Sequence, residues 1–125
     1  MKRPPCEVIV KELMPLLRAC LARILINDYG YSIYQASKLL GVTPAAISNY
    51  LTAKRADERL VKAVLEDEKF SKLMRSYAES LVNREMEAGD VLCILCRKIT
   101  SDKKYELGFK TLHERLKNNG IKEAT

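Results

Sequence analysis

Residues 32–55 read SIYQASKLLGVTPAAISNYLTAKR, and this stretch decides the fold because its turn residues and its apolar spacing agree. Ser32 can accept a hydrogen bond from the first free N–H groups of a helix, and Gln35 three residues later can complete a capping box. Gly41 can adopt the left-handed conformation that ends a helix without a Cβ penalty. The pattern predicts a short helix between Ser32 and Gly41.

A second short helix is predicted directly after the first. Thr43 is a favourable N-cap, and Pro44 suits the first helical position, where its missing N–H costs nothing. Ile47, Tyr50 and Leu51 recur at helical spacing and are expected to face inward. Two helices joined by three or four residues that include Gly are typical of a helix-turn-helix.

The outer face of the second helix is expected to carry only short, uncharged side chains, which let a helix approach base edges in the major groove of DNA. An amide such as that of Asn49 can pair with two atoms of an adenine edge. Basic residues just past the helix are expected to neutralise phosphates. The predicted DNA contacts are Gln35, Thr43, Pro44, Ala45, Ser48, Asn49, Thr52, Lys54 and Arg55. The alternative is a helical hairpin of another α-protein whose polar face is merely solvated.

The same stretch, with Pro-Cys-Glu at residues 5–7, resembles the archaeal predicted transcriptional regulators of the repressor-type (XRE-like) helix-turn-helix superfamily. A similar amino-terminal module precedes thiamine-phosphate synthase domains in some archaeal regulators. The resemblance covers about the first half of the chain and implies DNA binding. Ser37 stands where such motifs usually carry Ala, and Ile33 stands where many carry a phosphate-contacting Gln, so that contact is not transferred. No thiamine-related ligand is expected.

The composition of the 125 residues favours an all-α protein. Hydrophobic residues make up 47% of the chain, but there are only six Tyr, two Phe and no Trp, so aliphatic side chains must fill the core, as they do in helical bundles. No apolar stretch reaches the roughly 18 residues of a membrane span, and the start lacks the apolar segment of a signal peptide. We expect a cytoplasmic protein without a membrane partner.

Positive charge is concentrated in the half that carries the motif. The net charge is +6; residues 1–56 hold 8 Lys and Arg against 3 Asp and Glu, and residues 57–125 hold 14 against 13. The two halves therefore carry +5 and +1. Clustered positive charge raises the affinity for DNA, although it can also serve solubility alone. With one His and no glycine-rich phosphate loop, the chain is not expected to be an enzyme.

Apolar residues from Val8 to Leu25 recur at three- and four-residue steps and predict a long buried helix. Pro15 is expected either to kink this helix or to end it near Leu13. Arg18 and Arg23 are predicted to be its outward charges. Residues 1–56 would then form the helix-turn-helix DNA-binding region.

Residues 57–125 are predicted to form a helical dimerisation region without a wing. One stripe covers residues 60–65, and a second starts at Phe70, passes Met86 and is expected to stop at Gly89. A polar connection is expected from Arg97 and a last helix near residues 105–118. The second stripe needs a partner, and a two-fold homodimer would place two recognition helices roughly 34 Å apart. An intrachain core is the alternative.

Cys93 and Cys96 form a CxxC pair in an apolar segment. We expect buried thiols and no cofactor, as also for Cys20. Zinc or an iron–sulfur cluster is the alternative, and its further ligands would be Cys6, Cys20, His113 or residues of a second subunit. A disulfide to Cys6 or Cys20 is the third possibility. The leading hypothesis is thus a sequence-specific DNA-binding transcription regulator, with a redox- or metal-responsive regulator and a non-specific chromosome-coating protein as alternatives.

Overall fold

The computed structural model describes residues 5–52 and 56–101, and the side chains of residues 13–52 and 58–101. Within these ranges the chain is helical and contains no strand, so the predicted all-α class is confirmed. The helices are α1 (Pro5–Asn27), α2 (Ile33–Leu40), α3 (Pro44–Leu51), α4 (Ala56–Glu66), α5 (Glu68–Val82) and α6 (Ala88–Ser101). In this part of the chain, no helix combines the length and the apolar character that crossing a bilayer requires.

Helix α1 is the centre of the molecule and contacts each of the other five helices. Leu13, Leu17 and Leu21 are almost completely buried along it. The prediction that a helix ends near Leu13 is wrong, because α1 continues through Pro15. Pro15 is exposed, so its ring meets solvent, and the buried leucines on both sides hold the helix together across the missing hydrogen bond.

Helices α4 and α5 meet at residues 66–68, an acidic run that separates their two apolar stripes. Asp67 caps α5, since its carboxylate accepts from the backbone N–H groups of Lys69 at 2.9 Å and Phe70 at 3.1 Å. Because α4 begins at Ala56, residues 56–60 are helical and leave no hairpin for a wing there.

The apolar stripe of α5 is covered by this chain. Its most buried side chains are Phe70, Met74, Ala78 and Leu81, and α5 packs against α1, α4 and α6. This burial agrees with the intrachain alternative, so the stripe no longer requires a second chain as its partner. Buried residues of all six helices belong to one hydrophobic cluster.

Helix α5 ends earlier than predicted. It stops at Val82, and Arg84 adopts a left-handed conformation with φ +62°. The N–H of Arg84 donates to the Leu81 carbonyl at 3.1 Å, and the next N–H donates to the Ser80 carbonyl at 2.9 Å. These two bonds close a Schellman motif around a residue other than Gly. Gly89, the predicted stop, lies inside α6.

Helix α6 includes residues that were predicted to form a polar connection. The expected polar connection from Arg97 is helical through Ser101. Ile99 is buried in the core, and the Thr100 hydroxyl donates to the Cys96 carbonyl at 2.7 Å. Burial of one apolar residue per turn therefore keeps this charged segment helical.

Candidate nucleic-acid interface

The start of α2 has the predicted capping box. The N–H of Gln35 donates to Ser32 Oγ at 3.0 Å, and the N–H of Ser32 donates to Gln35 Oε1 at 2.8 Å. At the other end, Gly41 has φ +71°, and its N–H donates to the Ser37 carbonyl. Both predicted ends of α2 are confirmed.

Helix α3 begins at the predicted residues. The N–H of Ala46 donates to Thr43 Oγ1 at 3.1 Å, and Pro44 is the first residue of the helix. Ile47 is completely buried, and α3 packs against both α1 and α2. The α2–α3 pair is thus attached to the rest of the molecule along one face.

The other face of α3 is open to solvent. The residues predicted to contact DNA on α3 and at its ends are all exposed: Thr43, Pro44, Ala45, Ser48, Asn49 and Thr52. The side chains of Ser48 and Asn49 form no hydrogen bond with any residue that the structure describes. The Thr52 hydroxyl donates to the Ser48 carbonyl at 2.9 Å. The side chains of Ser48 and Asn49 therefore have no hydrogen-bond partner within the described part of the chain.

Two of the predicted contact residues already serve the helix ends. Gln35 is exposed, but its Oε1 accepts from the Ser32 N–H, which leaves its amide NH₂ group. The Thr43 hydroxyl oxygen accepts from Ala46. Lys54 and Arg55, the predicted phosphate contacts, lie outside the described residues.

Arg23 fixes the far end of α3, a role that sequence reasoning missed. Its Nη2 donates to the Leu51 carbonyl at 3.2 Å and lies 3.9 Å from Glu58 Oε2. A guanidinium beside the last carbonyls of a helix stabilises their partial negative charge. Arg23 therefore connects α1, α3 and α4.

The prediction that Arg18 and Arg23 point outward is wrong. Both are half-buried, and in the described part of the chain their Nε atoms are buried without a hydrogen-bond partner. Other helices surround α1, so the two arginines are partly covered, and Arg23 extends to polar groups of α3 and α4. Between Leu13 and Ile26 they are the only charged residues, and so apolar a segment is the signal that indicates this burial.

The cysteines divide into a buried thiol and a surface pair. Cys20 is fully buried, as predicted, and this burial raises its pKa to about 12. Cys93 is exposed and Cys96 is half-buried on α6, so the prediction that both are core thiols is wrong for Cys93. Burial, and then the nearby Cys93, raise the pKa of Cys96.

The described cysteines form neither a disulfide nor a recognisable metal centre. Cys20, Cys93 and Cys96 are free thiols. Among the residues with described side chains, no three His, Cys, Asp or Glu lie together where they could hold a metal ion. The side chain of Cys6 and the whole of His113 lie outside the described part, so their predicted roles as ligands are not placed.

Comparison of this chain with known protein families, with curated proteins and with solved structures finds no match. The resemblance to repressor-type regulators therefore stays a prediction based on residues 32–55.

Proposed function

We propose that this protein is a sequence-specific, double-stranded DNA-binding transcription regulator that acts in the cytoplasm as a homodimer. In this proposal α3 lies in the major groove. The observation that carries the proposal is the exposed face of α3, where Ala45, Ser48 and Asn49 present small side chains above a fully buried Ile47.

Small side chains support base reading because they let the helix backbone come close to the base edges. Asn49 would pair with adenine through its amide, and Ser48 would donate to or accept from either strand. The methyl group of Ala45 would contact a thymine methyl. A face of long charged side chains would instead hold the helix away from the bases.

The attachment of α3 supports the proposal as well. Ile47 anchors the middle of α3 and Arg23 its carboxyl end, so the reading face is held by buried contacts rather than by a mobile loop. A recognition surface needs this support, because ordering a flexible segment on binding reduces the affinity. The +5 charge of residues 1–56 favours the encounter with a polyanion.

The homodimer is part of the proposal because α3 is only eight residues long. A helix of this length reaches few base pairs, and a two-fold pair of such helices reads two half-sites one turn of DNA apart. We assign the pairing to residues 57–125. Since the stripe of α5 is buried within the chain, other residues of this region would form the dimer contact.

Selection of bound fragments from random-sequence duplexes tests the proposal. We expect a palindromic consensus with half-sites about 10 base pairs apart. Fluorescence anisotropy should then give an affinity for the consensus about 10³-fold or more above that for a scrambled duplex at physiological salt. Equal affinities for both duplexes at every salt concentration would favour the chromosome-coating alternative.

Two alanine substitutions separate base reading from a general effect on the protein. Ser48 is exposed on α3, and Asn27 is exposed at the end of α1, outside the region assigned to the dimer contact. Ser48→Ala should weaken binding to the consensus, and Asn27→Ala should leave it unchanged. If the two variants bind the consensus equally well, Ser48 is not in the interface.

A further inference from the structure

A groove of about 210 Å³ separates α2 from the turn that follows α5. It is lined by Tyr31, Tyr34, Gln35, Lys38, Leu39 and Arg84. Two of these side chains are cations, two are aromatic rings and none is acidic. The groove is separate from the outer face of α3, although its lining includes Gln35, one of the predicted DNA contacts.

The two cations of the groove, Lys38 and Arg84, have no carboxylate partner among the side chains that the structure describes. Lys38 and Arg84 form no ion pair with any residue whose side chain the structure describes, where the ion pairs are Arg23 with Glu58 and Arg75 with Asp28. The Lys38 ammonium lies 5.3 Å from the centre of the Tyr34 ring. An anion in the groove would therefore meet two cations for which no described carboxylate competes.

The aromatic walls offer ring surface for stacking. Tyr34 is 61% exposed, so much of its side chain is open to solvent. Tyr31 is half-buried, and an edge-on contact with Tyr29, with the ring centres 6.3 Å apart, orients it. A planar molecule can stack on such rings without a large change in the protein.

The conformation of Arg84 is the second, independent observation. Arg84 occupies the left-handed position of the Schellman motif, where Gly is the usual residue because a Cβ is disfavoured there. An arginine at this position costs stability that Gly would not cost. Strained residues of this kind cluster at binding sites, where the side chain is needed.

We infer that this groove binds a small molecule in which a planar ring carries a phosphate or carboxylate group. The ring stacks on Tyr34, and the acidic group lies between Lys38 and Arg84. The exposed cations alone would also suit a duplex backbone, but the half-buried Tyr31 and Leu39 add apolar walls, which favour a small molecule that carries a ring. This site goes beyond the proposed DNA-binding function and does not depend on it.

Titration of the full chain with three probes, followed by amide chemical shifts in NMR, tests the inference. The probes are phenyl phosphate, inorganic phosphate and phenol, which separate the ring from the charge. Phenyl phosphate should bind about tenfold more tightly than either of the others, with the largest shifts at Tyr34, Lys38 and Arg84. If inorganic phosphate or phenol binds as tightly as phenyl phosphate, or if none of the three binds, the inference is wrong.

Substitutions then assign the charge contacts. Arg84→Gly and Lys38→Gln should each weaken phenyl phosphate binding about three- to fivefold, the range of partly exposed ion pairs. Arg84→Gly should also raise the thermal midpoint, because Gly relieves the left-handed residue, so weaker binding cannot be ascribed to unfolding. Lys72→Gln removes an exposed charge of α5 that does not line the groove and should change nothing. Unchanged binding in both groove variants would overturn the inference.

A competition experiment distinguishes this site from the proposed DNA interface. Excess duplex DNA should leave phenyl phosphate bound, and Asn49→Ala should leave phenyl phosphate affinity unaltered. If the duplex displaces phenyl phosphate, the cations of the groove contact DNA phosphates and the small-molecule proposal fails. If the protein does not bind DNA, the titration with the three probes still tests the groove, because it contains no DNA.

Discussion

Asn49 is the residue on which the proposed base reading depends most. Its amide is exposed near the end of α3 and has no hydrogen-bond partner among the described residues. Asn49→Ala is expected to weaken binding to the consensus duplex by about 1–3 kcal/mol, because a bidentate contact to a base is lost. Binding to a scrambled duplex should hardly change. Anisotropy titrations with both duplexes measure the difference.

The control for Asn49→Ala is Asn27→Ala, which also removes an exposed amide from a helix but lies at the end of α1. Equal losses on consensus and scrambled duplexes would remove Asn49 from the base-reading face. The helix content of both variants, measured by circular dichroism, should match that of the native chain.

Cys20 is expected to make the stability of the protein sensitive to alkaline pH. Burial raises its pKa from the usual 9.0 to about 12, so above pH 9 the unfolded chain loses this proton more readily than the folded chain. The protonated Cys20 thiol contributes fully to the free energy of unfolding below pH 9, and this contribution declines as the pH rises from 9 towards 12. The free energy of unfolding should therefore fall over this range.

Urea denaturation at several pH values measures this fall. Cys20→Ala removes the titrating group and should flatten the curve between pH 9 and 12, although it lowers stability at every pH by leaving a small cavity. A curve as steep in the variant as in the native chain would assign the alkaline sensitivity to other groups.

At the scale of the helices, Arg23 joins α1 to the carboxyl end of α3. Arg23→Met keeps an apolar stem but leaves the Leu51 carbonyl without its donor. We expect a loss of about 1–2 kcal/mol in the free energy of unfolding, which is below the usual range of about 1.5–3 kcal/mol for such hydrogen bonds because removal of the unpaired Nε offsets part of it. The surface pairing with Glu58 adds little. Urea denaturation followed by circular dichroism measures the loss.

The matched control is Arg59→Met, an exposed arginine of α4 whose replacement should change stability by less than about 0.5 kcal/mol. Equal stability of the two variants would mean that the contact with Leu51 contributes nothing. Hydrogen exchange should be faster in the last turn of α3 in the Arg23 variant.

The caps of the α2–α3 pair provide a second prediction at this scale. Thr43→Ala removes the oxygen that accepts from the Ala46 N–H and should destabilise the protein by about 1 kcal/mol. Thr43→Ser retains that oxygen and should cost much less. Thermal unfolding of the two variants measures the difference, and equal midpoints would show that the cap is dispensable.

At the scale of the whole molecule, residues 1–56 and 57–125 are expected to unfold together, because their buried residues belong to one core. Phe70 is buried on α5 in the same cluster as Ile47 of α3. Phe70→Ala should cost about 3–5 kcal/mol, and amide protection in α2 and α3 should decrease by a similar amount. Lys62→Ala, an exposed substitution on α4, should leave protection unchanged. Full protection of α3 in Phe70→Ala would mean that residues 1–56 are stable independently.

Much of the α2–α3 pair could be predicted from the sequence, because its ends depend on atoms only a few residues apart. The cap of Ser32 with Gln35, the left-handed Gly41 and the cap of Thr43 are all local interactions. The exposure of Ser48 and Asn49 follows from helical periodicity once Ile47 is assigned to the core. Apolar spacing also indicated α1, α4 and the start of α5, but it did not show that residues 88–101 form a separate helix.

The remaining features depend on contacts between distant parts of the chain, which local patterns do not contain. The same stripe on α5 would suit a second chain or this one, and the packing against α1 decided between them. The end of α5 at Val82, the helical state of Arg97 and the half-buried position of Arg23 also follow from that packing. Capping energies are set within one turn of chain, whereas burial is set by whichever helices come to lie alongside. For that reason the structure of residues 32–52 could be predicted from the sequence, whereas only the tertiary structure showed which helices pack around α1.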